Sequence, residues 1–168
     1  MKLDRLQIKK FKNLEGFDID FDQNSLVTVI VGWNGAGKSN LIEALVIIFR
    51  DLELWQYKKS GIKGKASFSY KLDYLTKNKK KVHIEAEENS YPVFFVDEKK
   101  VNRTDLLPYI PKQVFAYYSG PSDRLLRHFD EHQKRFRDQL IYPHKHGLKD
   151  DEVPERPLFY AQNLHSLF

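Results

Sequence analysis

The N-terminal residues alternate between apolar and polar side chains. Residues 3–8 and 17–21 each carry apolar side chains at every second position or close to it, and residues 13–16 interrupt this alternation between the two runs. A period of two is typical of a strand with one buried face, and a short break between two such runs is typical of a hairpin. The pattern therefore predicts an antiparallel pair of strands.

The next two segments are more apolar. Residues 25–31 read SLVTVIV, an almost continuous β-branched run that is typical of a strand buried on both faces. Residues 38–50 repeat apolar side chains at helical spacing, which predicts a helix. Because its apolar positions extend around both sides, this helix is expected to be well buried; they are Leu41, Ile42, Ala44, Leu45, Val46, Ile48 and Phe49.

The middle of the chain shows further strand patterns. Candidate strands cover residues 66–75, 81–86 and 92–96, with turns at 78–80 and 88–90. Residues 114–118, VFAYY, predict another buried strand. This part of the chain is therefore expected to be mainly antiparallel sheet.

The C-terminal part is predicted to be largely helical. Ser122 is a suitable N-cap for a helix that extends to about Ile141. The buried stripe of that helix would comprise Leu125, Phe129, Phe136 and Leu140. Residues 142–157 are loop-like, and residues 158–168 start another apolar helical pattern that stops without a cap, which indicates a fragment of a longer polypeptide.

Composition narrows the class of protein. The chain has 168 residues, of which 41% are hydrophobic and none is cysteine. It can therefore bury a core, whereas disulfide scaffolds, cysteine-ligated zinc sites and cysteine nucleophiles are excluded. Its longest nearly apolar run, residues 41–49, is far shorter than the roughly 20 residues of a membrane span. Since residues 1–10 also lack a signal-peptide pattern, we expect a cytoplasmic protein with no membrane partner.

The net charge of +5 is unevenly distributed. Residues 57–81 carry nine lysines and one acid, Asp73, whereas residues 82–98 carry five acids and no lysine or arginine. Basic segments bind phosphate backbones without sequence specificity, so residues 57–81 and the cationic helix at 124–137 are candidate DNA contacts. The alternative for residues 57–81 is a solvated strand edge whose lysines discourage aggregation.

One motif carries recognisable chemistry. Residues 32–39, GWNGAGKS, fit the pattern GxxxxGK[ST] between a predicted strand and a predicted helix. The glycines let successive backbone N–H groups point into one concavity, where they bind phosphate oxygens with help from the helix N-terminus. Lys38 would contact the β- and γ-phosphates, and the Ser39 hydroxyl would ligate Mg²⁺. Since a structural turn needs neither side chain, the motif predicts a site for ATP and Mg²⁺.

The start of the chain also resembles a known family. MKLDRLQIKKFKNLEGFDIDF, followed by IVGWNGAGKSNLIEAL, is similar to the start of the SMC, RecF and double-strand-break-repair ATPases, an ABC-type group of P-loop proteins. It is also similar to AAA-type ATPases of prokaryotic defence systems. The resemblance covers residues 1–50, and beyond them only the pattern matches. Small-molecule kinases and many GTPases differ, because they place this loop close to their first strand.

The resemblance implies a set of site residues. Lys12 falls where these ATPases have a basic residue near the nucleotide, although an exposed hairpin lysine is the alternative. Ser119 falls where the family has a Q-loop glutamine that contacts Mg²⁺ and the attacking water; the nearest glutamine, Gln113, lies at the other end of the predicted strand and is expected on the surface. Lys38 and Ser119 are then the candidate catalytic residues, and Ser39 the metal ligand. The implied nucleotide-binding residues are Lys12, Gly32, Asn34, Gly35, Ala36, Gly37, Lys38, Ser39 and Asn40.

Two further patterns are set aside. Residues 93–98, VFFVDE, imitate a Walker B strand with Glu98 as the water-activating residue, but an ABC-type order requires a signature motif before that strand. A polar turn after residue 96 is favoured instead. Residues 128–132, HFDEH, match the HxxEH pattern of inverted zinc peptidases, but an amphipathic helix with exposed histidines is favoured.

These patterns predict a mixed α/β fold. It would combine a P-loop NTPase core, like the N-terminal lobe of an ABC ATPase, with an antiparallel β subdomain and a C-terminal helical segment. We expect one partial ATPase domain over residues 1–168, divided into segments 1–56, 57–120 and 121–168.

The expected function is that of the ATP-binding N-terminal lobe of an SMC/RecF-like ATPase. The resemblance implies a role in DNA repair, maintenance or anti-phage defence, and a head-to-head homodimer around ATP. The chain as given lacks the Walker B and signature motifs that hydrolysis requires. The alternatives are a small P-loop phosphotransferase acting on a metabolite and a non-catalytic nucleotide-sensing module.

Overall fold

The computed structural model describes most of the chain. The described residues are 1–22, 24–25, 27–56, 64–111, 113–118, 124–147, 149 and 158–162. They belong to two compact units, Met1–Pro111 and Lys112–Phe168.

The first unit contains a six-stranded sheet in which every pair of neighbours is antiparallel. The spatial order is β2-β1-β3-β4-β5-β6. The strands are β1 (Lys2–Phe11), β2 (Leu14–Asp20), β3 (Tyr70–Leu75), β4 (Lys81–Ala86), β5 (Val93–Val96) and β6 (Lys99–Val101). The predicted N-terminal hairpin, the antiparallel sheet in the middle of the chain and the mixed α/β fold are therefore confirmed.

The inner face of this sheet carries the apolar core. Leu6 of β1 lies opposite Ile19 of β2 and Leu72 of β3, and both Leu6 and Leu72 are fully buried. Helix α1 (Lys38–Gln56) covers this face. The ring of Phe49 lies 6.4 Å from that of Tyr74, and the Trp55 ring stacks on Phe94 at 5.2 Å. Burying a large apolar side chain contributes roughly 2 kcal/mol, so these contacts fix the helix on the sheet.

Helix α1 is longer than the sequence pattern predicts. The prediction stops at Arg50, but the helix extends to Gln56 because Leu52, Leu54 and Trp55 are also buried. The carboxylate of Asp51 accepts hydrogen bonds from the backbone N–H and the hydroxyl of Ser67, at 3.3 and 2.8 Å. Ser67 therefore bonds to the helix, and β3 begins at Tyr70 rather than at residue 66.

The outer face of the sheet carries cross-strand ion pairs. Arg5 donates to Asp18 at 2.6 Å, and Lys71 donates to Glu85 at 2.7 Å. Each pair is largely exposed and contributes no more than about 1 kcal/mol. The pairs explain the polar half of the alternating pattern, since one face of each strand meets solvent.

Residues 93–98, whose sequence resembles a Walker B strand, belong to this sheet. β5 pairs antiparallel with β4 on one side and β6 on the other, and residues 97–98 form the turn between β5 and β6. Asp97 accepts a hydrogen bond from the Lys80 ammonium at 2.6 Å and another from the Lys81 backbone N–H. The predicted polar turn is confirmed.

The prediction of a buried strand at residues 25–31 is wrong. Val27, Val29 and Val31 are 70%, 76% and 85% exposed. Among the described strands, none pairs with this segment. A β-branched run favours extended backbone, but a strand also needs a hydrogen-bonded neighbour, which the residues of the segment cannot supply by themselves.

The second unit has two strands and one α-helix among its described residues. Strand β7 (Val114–Tyr118) pairs in parallel with β8 (Leu158–Gln162), with Val114 opposite Leu158. Helix α2 (Asp130–Ile141) follows a 3₁₀ turn at Leu126–His128. Residues 158–162 therefore form a strand, and the prediction of a helix there is wrong. Apolar spacing in a short segment suits either structure, and the partner strand decides.

The boundaries and burial of this unit also differ from expectation. The α-helix begins at Asp130, with Phe129 at the N-cap, whereas the expected N-cap Ser122 lies outside the described residues. Strand β7 is not buried as predicted, since Phe115 is 67% exposed. Leu125 and Phe129 are buried as expected, but Leu140 lies on the exposed side of the helix.

Within the described part of the chain, no helix combines the length and the apolar character that crossing a lipid bilayer requires.

Candidate nucleotide-binding site

The glycine-rich loop, residues 32–37, leads directly into the N-terminus of α1 at Lys38. Gly35 and Gly37 have φ values of +87° and +97°, a region that residues with a side chain rarely adopt. The backbone N–H of Ala36 donates to the Trp33 carbonyl at 3.1 Å, and that of Leu41 donates to the Gly37 carbonyl at 2.8 Å. The loop therefore turns tightly and passes without interruption into the helix.

The helix end is suited to an anion. Helix α1 has 19 residues and no acidic side chain in its first turn. The unpaired N–H groups at its start carry a partial positive charge, which stabilises a phosphate placed there. The helix begins at Lys38, which is itself a residue of the motif, so the motif supplies this helix N-terminus.

The ammonium of Lys38 lies against the loop. It donates to the carbonyl oxygens of Gly32 at 2.6 Å and Trp33 at 2.9 Å. An ammonium has three N–H groups, so a further donor remains for an anion once these two carbonyl groups are bonded. The arrangement places a cation beside the backbone N–H groups that the motif predicts as phosphate ligands.

The β1–β2 turn also contacts the loop. The side-chain amide of Asn13 donates to the Gly35 carbonyl at 2.8 Å, and its oxygen accepts a hydrogen bond from Asn40 at 2.5 Å. A Cβ atom on Gly37 would lie 2.7 Å from the Leu14 side chain. The sequence pattern carries no signal for Asn13, because asparagine is common in turns for local reasons and only tertiary packing brings this turn to the loop.

Lys12 occupies the same turn, with a φ of +53°. Its ammonium lies 2.5 Å from Oε2 of Glu43 on α1 and 5.3 Å from the centre of the Phe11 ring. The side chain of Lys12 is 37% exposed, whereas that of Glu43 has no exposure. Lys12 is thus held on the helix beside the loop, and its approach to a nucleotide stays a prediction.

In the first unit, the carboxylates with lowered pKa values lie on the six-stranded sheet or in its β5–β6 turn. Hydrogen bonds from Arg5 and Gln7 hold the pKa of Asp18 at about 2. The Lys71 ammonium, and after it His83, lowers the pKa of Glu85, and the Lys80 ammonium lowers that of Asp97. These carboxylates belong to ion pairs that stabilise the sheet and are not in the glycine-rich loop.

Burial raises the pKa of the two core tyrosines. Tyr70 is 4% exposed, and after burial the nearby Asp51 carboxylate contributes most to raising its pKa. Burial alone raises the pKa of Tyr74, whose hydroxyl donates to the Tyr109 carbonyl at 2.9 Å. Both phenols therefore stay neutral at ordinary pH.

The remaining predicted site residues are in the second unit. Ser119 lies outside the described residues, and Gln113 is exposed, as predicted.

The two histidines of the HxxEH pattern are also in the second unit. His128 and His132 are buried at 9% and 2% exposure, so the expectation that they are exposed is wrong. In the described ranges, no three histidine, aspartate or glutamate side chains are close enough to hold a metal ion.

A comparison with known families identifies the domain. The family model described as an AAA ATPase domain matches residues 1–158. The chain belongs to this family. The resemblance to SMC/RecF-like ATPases that the first 50 residues indicate is thereby confirmed, and membership of an ATPase family supports nucleotide binding by this AAA ATPase domain.

Curated relatives of this AAA ATPase domain include DNA replication and repair proteins named RecF. The protein from Lactobacillus acidophilus is 44% identical over 48 residues, which are 29% of this chain and 12% of that protein. The protein from Clostridioides difficile is 28% identical over 138 residues, which are 74% of this chain and 35% of that protein. The chain therefore spans about a third or less of the length of these relatives.

One solved structure, of the recombination mediator protein RecF in the RecFOR pathway, aligns with 85% of this chain and 45% of its own. The identity is 19% and the TM-score is 0.40.

Proposed function

We propose that the chain is the ATP-binding N-terminal lobe of an SMC/RecF-like ATPase that acts in DNA maintenance or in defence against foreign DNA. The position of Lys38 carries this proposal, since its ammonium bonds two loop carbonyl groups at the start of a helix. Family membership and the RecF relatives support it.

The proposed roles follow from the chemistry of each group. The backbone N–H groups of residues 32–37 and the N-terminus of α1 would bind phosphate oxygens. The Lys38 ammonium would bind the terminal phosphates, and the Ser39 hydroxyl would ligate Mg²⁺, which supplies charge neutralisation when it is bound. Asn34, Ala36 and Asn40 complete the proposed site.

Calorimetric titration of the chain with Mg-ATP tests the site. Lys38→Ala removes a charge-assisted contact and is expected to raise the Kd by about 10- to 100-fold. Lys10→Ala is the matched control, because Lys10 lies in an exposed pair with Glu15 at 3.8 Å and has no bond to the loop among the described contacts. Equal affinity of Lys38→Ala and the wild type would contradict the proposal.

The same titration tests the proposed role of Ser39 as a ligand of Mg²⁺. Ser39→Ala is expected to weaken binding in the presence of Mg²⁺ and to leave binding in EDTA little changed. A variant that loses affinity equally in both buffers would contradict Ser39 as the metal ligand.

Turnover distinguishes the lobe from the alternatives. As one lobe, the chain is expected to bind ATP with negligible hydrolysis, and the complete protein to hydrolyse it as a head-to-head dimer. Phosphoryl transfer to a metabolite by this chain alone would favour the phosphotransferase. Binding without turnover in the complete protein would favour the sensing module.

Within residues 57–81, we propose the exposed lysines of the β3–β4 turn as the DNA contact. Lys71 and Lys80 are already paired with Glu85 and Asp97. Lys77 and Lys79 are exposed at the β3–β4 turn, from which they can reach a phosphate backbone. Residues 57–63 lie outside the described residues. In the second unit, Lys134 and Arg137 are the exposed cations of α2 within the proposed segment 124–137.

A further inference from the structure

Asn13 bonds both to the glycine-rich loop and to the first turn of the helix that follows it. Its amide nitrogen donates to the carbonyl of Gly35 inside the loop, and its oxygen accepts from Asn40 in the first turn of α1. A backbone carbonyl can only accept, so the bond to Gly35 fixes which end of the Asn13 amide carries the nitrogen. The second bond is consistent with that orientation, because Asn13 then offers an oxygen to the Asn40 nitrogen.

The residues on either side of Asn13 hold the turn in place. Leu14 is 3% exposed, and its side chain fills the space where a Cβ on Gly37 would lie. Lys12 pairs with the buried carboxylate of Glu43, in the second turn of α1. Three consecutive residues, Lys12, Asn13 and Leu14, therefore contact the loop or the helix that follows it.

We propose that Asn13 is a positioning residue that holds the loop in its phosphate-binding shape before nucleotide arrives, an inference that rests on the proposed nucleotide-binding function. The loop has two glycines at positive φ, and glycine has more conformational freedom to lose than any other residue. A contact that restricts such a loop in advance lowers the entropy lost on binding. Asn13 acts through Gly35 and Asn40 and not by touching the nucleotide.

The first measurement needs no nucleotide. Hydrogen–deuterium exchange of the backbone amides at residues 33–37 is compared between the wild type and Asn13→Ala, and the variant is expected to exchange faster there. Gln7→Ala is the matched control. It also removes an exposed amide hydrogen bond of the hairpin, the 2.8 Å bond from Gln7 to Asp18, but it leaves the loop contacts intact.

The second measurement is the affinity for Mg-ATP. Asn13→Ala is expected to raise the Kd about tenfold, whereas Gln7→Ala leaves it unchanged.

Thermal unfolding of the two variants separates positioning from general stability, since both substitutions are expected to lower the unfolding midpoint similarly. Asn40→Ala added to Asn13→Ala is expected to raise the Kd by less than the product of the two separate effects, because the first substitution has already removed their shared bond.

The outcomes separate the two proposals. Unchanged exchange at residues 33–37 in Asn13→Ala, or an unchanged Kd, overturns the role of Asn13. If the wild type itself does not bind Mg-ATP, the proposed function fails, and the exchange comparison still decides whether Asn13 holds the loop.

Discussion

The ammonium of Lys12 lies 2.5 Å from a carboxylate oxygen of Glu43 whose side chain has no solvent exposure. Removing a charge from water costs several kcal/mol, and a close opposite charge offsets that cost. The pair joins the β1–β2 turn to α1, so it links the hairpin to the helix that follows the glycine-rich loop.

Replacing Lys12 by methionine should destabilise the fold. The substitution keeps the apolar stem but leaves the Glu43 carboxylate without this cation, so we expect the free energy of unfolding to fall by about 2–3 kcal/mol. Urea unfolding, followed by the fluorescence of the buried Trp55, measures the change.

Lys10→Met is the control for this substitution. Lys10 and Glu15 are 72% and 74% exposed, and such a pair contributes less than about 1 kcal/mol. Equal losses for the two methionine variants would show that the Lys12 pair does not stabilise the fold.

Stability should depend on pH through Asp18. Its pKa is about 2 in the folded protein, below the ordinary 3.8, because Arg5 and Gln7 donate hydrogen bonds to the carboxylate. A carboxyl with a lowered pKa stabilises the fold above its unfolded pKa and loses that contribution as the pH falls through the folded pKa. We therefore expect Asp18→Asn to be less stable than the wild type above about pH 4 and equally stable near pH 2.

Urea midpoints measured between these pH values test this prediction. Arg5→Met removes the first donor, so its stability should already fall at a higher pH than that of the wild type. A difference between the wild type and Asp18→Asn that is constant with pH would be inconsistent with the lowered pKa.

A side chain at Gly64 should disrupt the packing of α1. A Cβ atom there would lie 2.4 Å from the Trp55 Cα, and the φ of +86° adds strain. Because the helix backbone cannot move without losing core contacts, we expect Gly64→Ala to cost about 3 kcal/mol or more.

Gly16→Ala provides the comparison. Gly16 also has a positive φ, +56°, but a Cβ there meets no atom within 4 Å. Only the backbone cost of about 1 kcal/mol is expected. Chemical unfolding that ranked the two variants equally would argue against the close approach of residue 64 to the helix.

Charge reversal at the β3–β4 turn tests the proposed DNA contact. Lys77→Glu combined with Lys79→Glu should weaken binding to a fluorescent DNA duplex. The slope of log Kd against log salt concentration should also fall by about one unit per lost phosphate contact. Anisotropy titrations at several salt concentrations give both values. Lys9→Glu combined with Lys10→Glu, at exposed positions on β1 of the same sheet, is the control with the same change in charge, and equal weakening by it would indicate a general charge effect.

The hairpin, the middle strands and α1 follow from local patterns. Leu6 and Ile8 face the core because alternate residues of a strand point to one face, whichever strand becomes the neighbour. Residues 27–31 and 158–162 could not be assigned in this way. Whether an apolar segment becomes a strand depends on a hydrogen-bonded partner elsewhere in the chain, and here the first segment has none among the described strands while the second has β7.

Local sequence is enough to establish the chemistry of the glycine-rich loop, since the φ values of Gly35 and Gly37 and the position of Lys38 at a helix start depend on neighbouring residues. The surroundings of that loop depend instead on tertiary packing. Asn13 and Lys12 lie 22 and 31 positions from their partners Gly35 and Glu43, and no local preference encodes contacts at that separation. They form because the hairpin and α1 share one apolar core, and burying that core places the turn against the loop.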